Sequence, residues 1–174
     1  GEKGQPVPVE NPYAYGNAWF VDKVQYVNNA NEEIDALNDI RPTETAVVDA
    51  RFKEQLKGVT EGYKDSLSTI RLTDYEPNRL VYKVSTPKDG VVVFSEVYYP
   101  GWQAKIDGQP VDIARADYIL RAMNVPAGEH TIEMWFNPQS IHVTESIAYA
   151  ALALLLIGVM LLAWTQRSKI AKKS

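Results

Sequence analysis

Between Tyr98 and Arg121 the chain carries its densest run of side chains suited to holding a ligand: Tyr98-Tyr99-Pro100-Gly101-Trp102, then Arg115, Asp117, Tyr118 and Arg121. An aromatic face beside a guanidinium and a carboxylate suits a sugar, whose C–H groups stack on the ring while its hydroxyls bond the polar groups. Tyr99, Trp102, Arg115, Tyr118 and Arg121 are therefore the candidate carbohydrate-binding residues. A plainer assignment competes, in which Trp102 and one of the tyrosines belong to the core and Arg115 pairs with Asp117 or a neighbour.

Other chemistries find less support. There is no cysteine, and the two histidines, His130 and His142, lack metal-ligand spacing, so neither a thiolate nor a metal site is expected. No nucleophile elbow, phosphate-binding loop or dinucleotide fingerprint occurs, so no catalytic residue and no cofactor is assigned. A pair of carboxylates for glycoside hydrolysis stays open, because its members would meet only in the fold. Most of the 22 acids suit solvated strand and loop faces instead.

The elements that must position the aromatic and charged run are short strands. Ala18 to Val27 is dense in aromatic and β-branched residues and is expected as one strand. Asn29 or Asn31 can cap a short helix through about Asn38, with Glu32 and Glu33 in its first turn and Ile34 and Leu37 on one face. Thr45 to Ala50 has strand length. Ile70 and Leu72, then Leu80, Tyr82 and Val84, alternate with polar neighbours as two antiparallel strands would. Gly90 to Tyr99 is apolar at both parities and is expected to be a central strand. Pro100-Gly101 meets the demand of a type II turn, Asp107-Gly108 that of a type I′ hairpin, and Pro126-Ala127-Gly128 makes a further turn. Pro100, Gly101, Asp107, Gly108 and Gly128 are accordingly structural turn residues. Strands are expected around Val111 and Ile113, over Tyr118 to Val125, and over Thr131 to Phe136. Some eight short strands at hairpin spacing predict a mainly β domain over 17–138, an antiparallel β-sandwich of jelly-roll or immunoglobulin-like kind with one short N-terminal helix. Residues 1–16, rich in Pro, Gly and Asn, are expected to be a connector.

The mean hydropathy of −0.26 conceals a second kind of segment. Ile147 to Trp164 are 18 residues without a charge, about 27 Å as a helix, close to the ~30 Å hydrocarbon core of a bilayer. A single transmembrane helix is predicted over 141–166 with its apolar core at 147–164, and Tyr149 and Trp164 lie near its ends as interfacial anchors. Arg167, Lys169, Lys172 and Lys173 follow with no acid among them, a basic tail over 167–174 that the positive-inside rule assigns to the cytoplasm. Of 18 basic residues 14 precede this tail, against all 22 acids, so the domain carries −8 and is expected outside the cytoplasm. Such a charge excludes a nucleic-acid partner, which requires a concentrated positive face. The opening GEKGQPVPVENPYAYG has neither an initiating Met nor an apolar signal, so the chain is expected to be the C-terminal piece of a longer membrane protein, a cleaved signal peptide being the competing explanation.

The stretch VVVFSEVYYPGWQAKIDGQPVDIARADYILRAMNVPAGEHTIEMWFNP, followed by a membrane helix and basic tail, resembles the C-terminal end of the bacterial YfhO-like membrane proteins. Asn11 to Val21 and Ala46-Val47-Val48-Asp49 resemble it too. The resemblance implies a polytopic protein of the bacterial cell membrane, similar to multi-spanning glycosyltransferases that use lipid-linked sugars to decorate cell-surface polymers. It also implies that the catalytic acids belong to an upstream membrane region. On that reading the domain is a non-catalytic accessory whose partners are the upstream membrane region of the same polypeptide, the lipid bilayer, and a cell-surface glycan or lipid-linked sugar. The alternative is a stand-alone membrane-anchored carbohydrate-binding module.

Overall fold

The computed structural model describes residues 14–57 and 66–171. The expected connector over 1–16 lies largely outside them, as do Lys172 and Lys173. The chain divides between Phe136 and Asn137 into two compact units.

In the first unit two antiparallel sheets face each other. One has four strands in the order β1 (Ala18–Val21), β6 (Gly90–Val97), β10 (Leu120–Val125) and β9 (Ala114–Ala116). The other has five, in the order β4 (Thr69–Glu76), β5 (Arg79–Thr86), β11 (Gly128–Phe136), β7 (Trp102–Ile106) and β8 (Gln109–Val111). Phe20, Val92, Phe94 and Met123 of the first meet Leu80, Tyr82, Ile106, Ile132 and Met134 of the second in one core. The sandwich expected from the strand pattern is present, and β6 is central to its sheet, between β1 and β10.

β6 is apolar at both parities for a reason that a two-layer sandwich does not supply. Val91 and Val93, on its outer face, enter a second core with Val24, Ala46, Val48 and Leu56. Those residues come from a parallel pair, β2 (Lys23–Val27) and β3 (Thr45–Asp49), joined through helix α1 (Ala30–Ala36), and from the segment after a 3-10 turn at Ala50–Phe52. The four-stranded sheet is thus covered on both faces.

Two expectations about this region need correction. Ala18 to Val27 is two strands, because the chain breaks at Asp22, where the amides of Asp22 and Lys23 both donate to the Glu44 carbonyl and redirect it. β2 and β3, joined through α1, form a parallel pair beside the two antiparallel sheets of the sandwich. Asn29 does cap α1: its Oδ1 accepts from the amides of Asn31 and Glu32, and Glu32 reaches back to the Asn28 amide at 2.9 Å. The buried side of α1 is not the one the apolar spacing predicted, however. Ile34 is exposed and Glu33 is completely buried.

The second unit is helix α2, Gln139–Ala171. Its segment Val143–Leu162 is long and apolar enough to cross a membrane. The helix is longer than the expected 141–166 and continues into the basic segment.

Candidate functional site

β9 is a three-residue edge strand, and the chain reverses from it into β10 through Asp117 and Tyr118, with φ of 49° and 70°. Neither is glycine, and the left-handed region costs an L-residue about 1–2 kcal/mol. Contacts from distant elements hold the turn. Asp117 exchanges two hydrogen bonds with Val47 of β3: the Val47 amide donates to its Oδ1 at 2.8 Å, and its own amide donates to the Val47 carbonyl at 2.7 Å. The Tyr118 amide donates to Glu33 Oε1 at 2.9 Å. The other oxygen of Glu33 takes Arg115 Nη2 at 2.5 Å, closing an ion pair across 82 residues of sequence. Its carboxylate side is fully buried while Arg115 keeps 19% of its side chain exposed. Arg115 Cζ lies 5.3 Å from the ring centroid of Tyr118 and 5.7 Å from that of Phe52, and its buried Nε has no hydrogen-bond partner. Burial, with Glu33 nearby, raises the pKa of the Asp117 carboxyl to about 6 against the hydrogen bond from Val47.

Arg121 lies directly opposite Arg115 in the β9–β10 register. Two like charges so placed repel, and their side chains part. Arg121 is almost wholly buried, its Cζ only 3.8 Å from the Trp102 ring centroid. Nε donates to the Val97 carbonyl at 3.0 Å and Nη1 lies 3.8 Å from Met134 Sδ, so the guanidinium bridges the two sheets. Burial pushes its pKa below the usual guanidinium value. Trp102 packs on Phe136, 5.6 Å between centroids, and Phe136 lies 6.0 Å from Tyr99.

The five candidate residues therefore fall into two groups. Arg115 and Tyr118 join Glu33, Phe52 and Asp117; Tyr99, Trp102 and Arg121 join Phe136. Arg115 pairs with Glu33, not with Asp117 as the plainer assignment allowed. Tyr99 is exposed and Trp102 half-buried beside a groove of about 350 Å³ that Asp112 and Trp135 also line. A larger concavity of about 970 Å³ lies elsewhere, along Trp19, Arg71, Lys83 and Glu129. Among the described residues no three potential metal-ligating side chains cluster.

The turn residues behave as their types require. Gly101, Asp107, Gly108 and Gly128 all have positive φ, and the Trp102 amide reaches back to the Tyr99 carbonyl across Pro100-Gly101. Asp107 does more than turn the chain. Its Oδ1 accepts the Thr131 amide at 2.8 Å, and its Oδ2 lies 2.6 Å from His130 Nδ1. The other ring nitrogen of His130 faces the Ala127 carbonyl at 3.1 Å. Both neighbours are acceptors, so the geometry favours the imidazolium form, and the hydrogen bond to Asp107 raises the pKa of His130.

Sequence reasoning missed Glu33, Phe52 and the His130–Asp107 pair. Glu33 was legible only as a first-turn acid, since nothing local marks which of two adjacent glutamates meets an arginine 82 residues away. His130 and Asp107 offered a weak signal, facing each other across the two hairpin turns expected to flank β11 and β7.

The family model for "Bacterial membrane protein YfhO" matches residues 53–148, which contain both groups except Glu33 and Phe52. An uncharacterized protein YfhO from Bacillus subtilis (strain 168) is 27% identical over 81 residues, 47% of this chain and 9% of that protein. The match thus covers less than a tenth of the relative's length. No solved structure matches. With the model spanning more than half of the sequence, from before β4 through β11 and into the apolar helix, the chain belongs to the YfhO family of bacterial membrane proteins.

Proposed function

We propose that the sandwich is a non-catalytic, extracytoplasmic accessory domain of a multi-spanning membrane glycosyltransferase, supporting the transfer of sugar from a lipid carrier to a cell-surface polymer. The observation that carries the non-catalytic part is the use made of the two candidate cations: Arg115 is joined to buried Glu33 and Arg121 is buried against Trp102. A guanidinium committed in this way has little left for a substrate. The accessory part is supported by membership of a membrane-protein family and by an apolar helix that begins three residues after the last strand. The orientation is supported by the basic segment after that helix.

The test is deletion of 17–136 from the full-length protein, with surface glycosylation measured at matched amounts of protein in the membrane. The proposal expects glycosylation to fall sharply; undiminished glycosylation overturns it. The carbohydrate-binding alternative rests on the exposed ring of Tyr99 beside the 350 Å³ groove. Titration of the chain with cell-wall oligosaccharides, read by tryptophan fluorescence and lost in Tyr99→Ala, would favour it.

A further inference from the structure

Large exposed apolar side chains are unevenly distributed over the sandwich. Of the eight among the described residues, five lie toward one pole: Tyr75, Val97, Tyr99, Tyr118 and Ile119. Register and hydrogen bonds tie them together. Val97 pairs with Leu120 and the Tyr98 amide donates to the Ile119 carbonyl at 2.7 Å, while Tyr99 packs near Phe136 and the Phe136 amide donates to the Asn78 carbonyl in the turn after Tyr75's strand. Ile34 lies on α1, and Leu67 precedes β4 toward the other pole. The turns of that other pole carry Lys88, Asp89, Asp107 and Glu129.

The chain both enters and leaves the sandwich by the apolar pole. Asn17, just before β1, accepts the Ser95 amide near the end of β6, and β11 ends at Phe136. Three residue steps separate Phe136 from Gln139, a contour of at most about 11 Å. Four helical residues then lead to Val143, a rise of about 6 Å. Whatever angle the two units adopt, Phe136 stays within roughly 17 Å of the first residue of the apolar span. The headgroup layer on each side of a bilayer is about 5–8 Å thick, from a total of 40–45 Å around a ~30 Å core.

We propose that this pole, through Tyr99, Val97 and Ile119, rests in the headgroup layer of the bilayer. The chemistry fits lipid better than a dry protein contact. Tyr75, Tyr99 and Tyr118 each combine an apolar ring with a hydroxyl at its tip, the combination enriched where one end of a side chain must stay wet. Exposures of 63%, 59% and 61% at Tyr75, Val97 and Tyr99 leave them free to reach a surface. The proposal rests on the membrane-spanning helix and not on the glycosyltransferase reading, so either can fail alone.

Because the chain contains no cysteine, single nitroxide labels can be attached to Tyr99→Cys, Ile119→Cys and, on the far side, Ala127→Cys. All three native side chains are exposed. The 174-residue chain is reconstituted in phosphatidylethanolamine–phosphatidylglycerol vesicles, and collision of each label with oxygen and with a water-soluble nickel chelate is measured. The expected result is an oxygen-to-nickel ratio severalfold higher at positions 99 and 119 than at 127. Equal, water-like ratios at all three positions overturn the proposal. So does shielding of 99 and 119 from both reagents, which would mean that protein, such as a second copy of the chain, covers the pole.

Discussion

Replacing Arg115 by methionine is the most informative single change, because it leaves the carboxylate of Glu33 in the core without its charge partner. Glu33 is fully buried, and its carboxylate accepts from Arg115 Nη2 and from the Tyr118 amide. Removing one member of a buried pair costs about 3–5 kcal/mol, since the remaining charge keeps its desolvation penalty. At roughly 3–5 °C per kcal/mol for a domain of this size, Arg115→Met should lower Tm by more than about 10 °C. Glu33→Gln is milder, about 1–2 kcal/mol: its amide oxygen can still accept from Tyr118, and the partly exposed Arg115 can rehydrate. With both changes no buried charge is stranded, so the double variant should be more stable than Arg115→Met alone, with a coupling of about 2 kcal/mol. The assay is thermal unfolding of the chain in detergent, followed by near-ultraviolet circular dichroism. Costs that simply add, or an Arg115→Met penalty below about 1 kcal/mol, would refute the reasoning by showing that the pair behaves as a surface salt bridge.

Arg121→Met should change stability by less than about 1 kcal/mol in the same assay, because it strands only a carbonyl and removes a buried charge at the expense of a cation–π contact. Asp117 titrates near 6 when folded and near 3.9 when unfolded, so folding favours its protonated form. Stability from this group is full below about pH 4 and falls as pH rises to about 6, by about 3 kcal/mol in all. Asp117→Asn should flatten that slope in unfolding curves from pH 4 to 8. His130 has a raised pKa, so its contribution is full below about pH 6.5 and is lost as pH rises through the folded value; His130→Ala should abolish that alkaline decline. Gly128→Ala should destabilise by about 1–3 kcal/mol: φ is +130°, and the added methyl would stand 2.8 Å from His130 Nε2.

Where the sequence was legible, the signal was local. Alternation marked β4 and β5, an acidic first turn and Asn29 marked α1, and Asp107-Gly108 marked a type I′ turn because both positions need positive φ. The double-sided apolarity of β6 was equally plain, although the layer covering its outer face was not, since β2 and β3 meet only after a helical crossover. The Asp117–Tyr118 turn was hidden for a different reason. It lacks glycine, and bonds from Val47 and Glu33, 70 and 85 residues away, hold the strained backbone. The candidate sugar site suffered in the same way. Arg115 and Arg121 face each other in register, yet one turns to α1 and the other inward between the sheets. Partners at such separations leave no trace in spacing.

The central claim, that Arg115 serves the fold through Glu33 and does not act on substrate, is tested most directly in the full-length protein carrying Glu33→Gln together with Arg115→Met. Surface glycosylation per unit of folded protein in the membrane is the quantity to measure. The account predicts a value equal to that of the unaltered protein. Normal amounts of folded protein with glycosylation abolished would contradict it and return Arg115 to the chemistry.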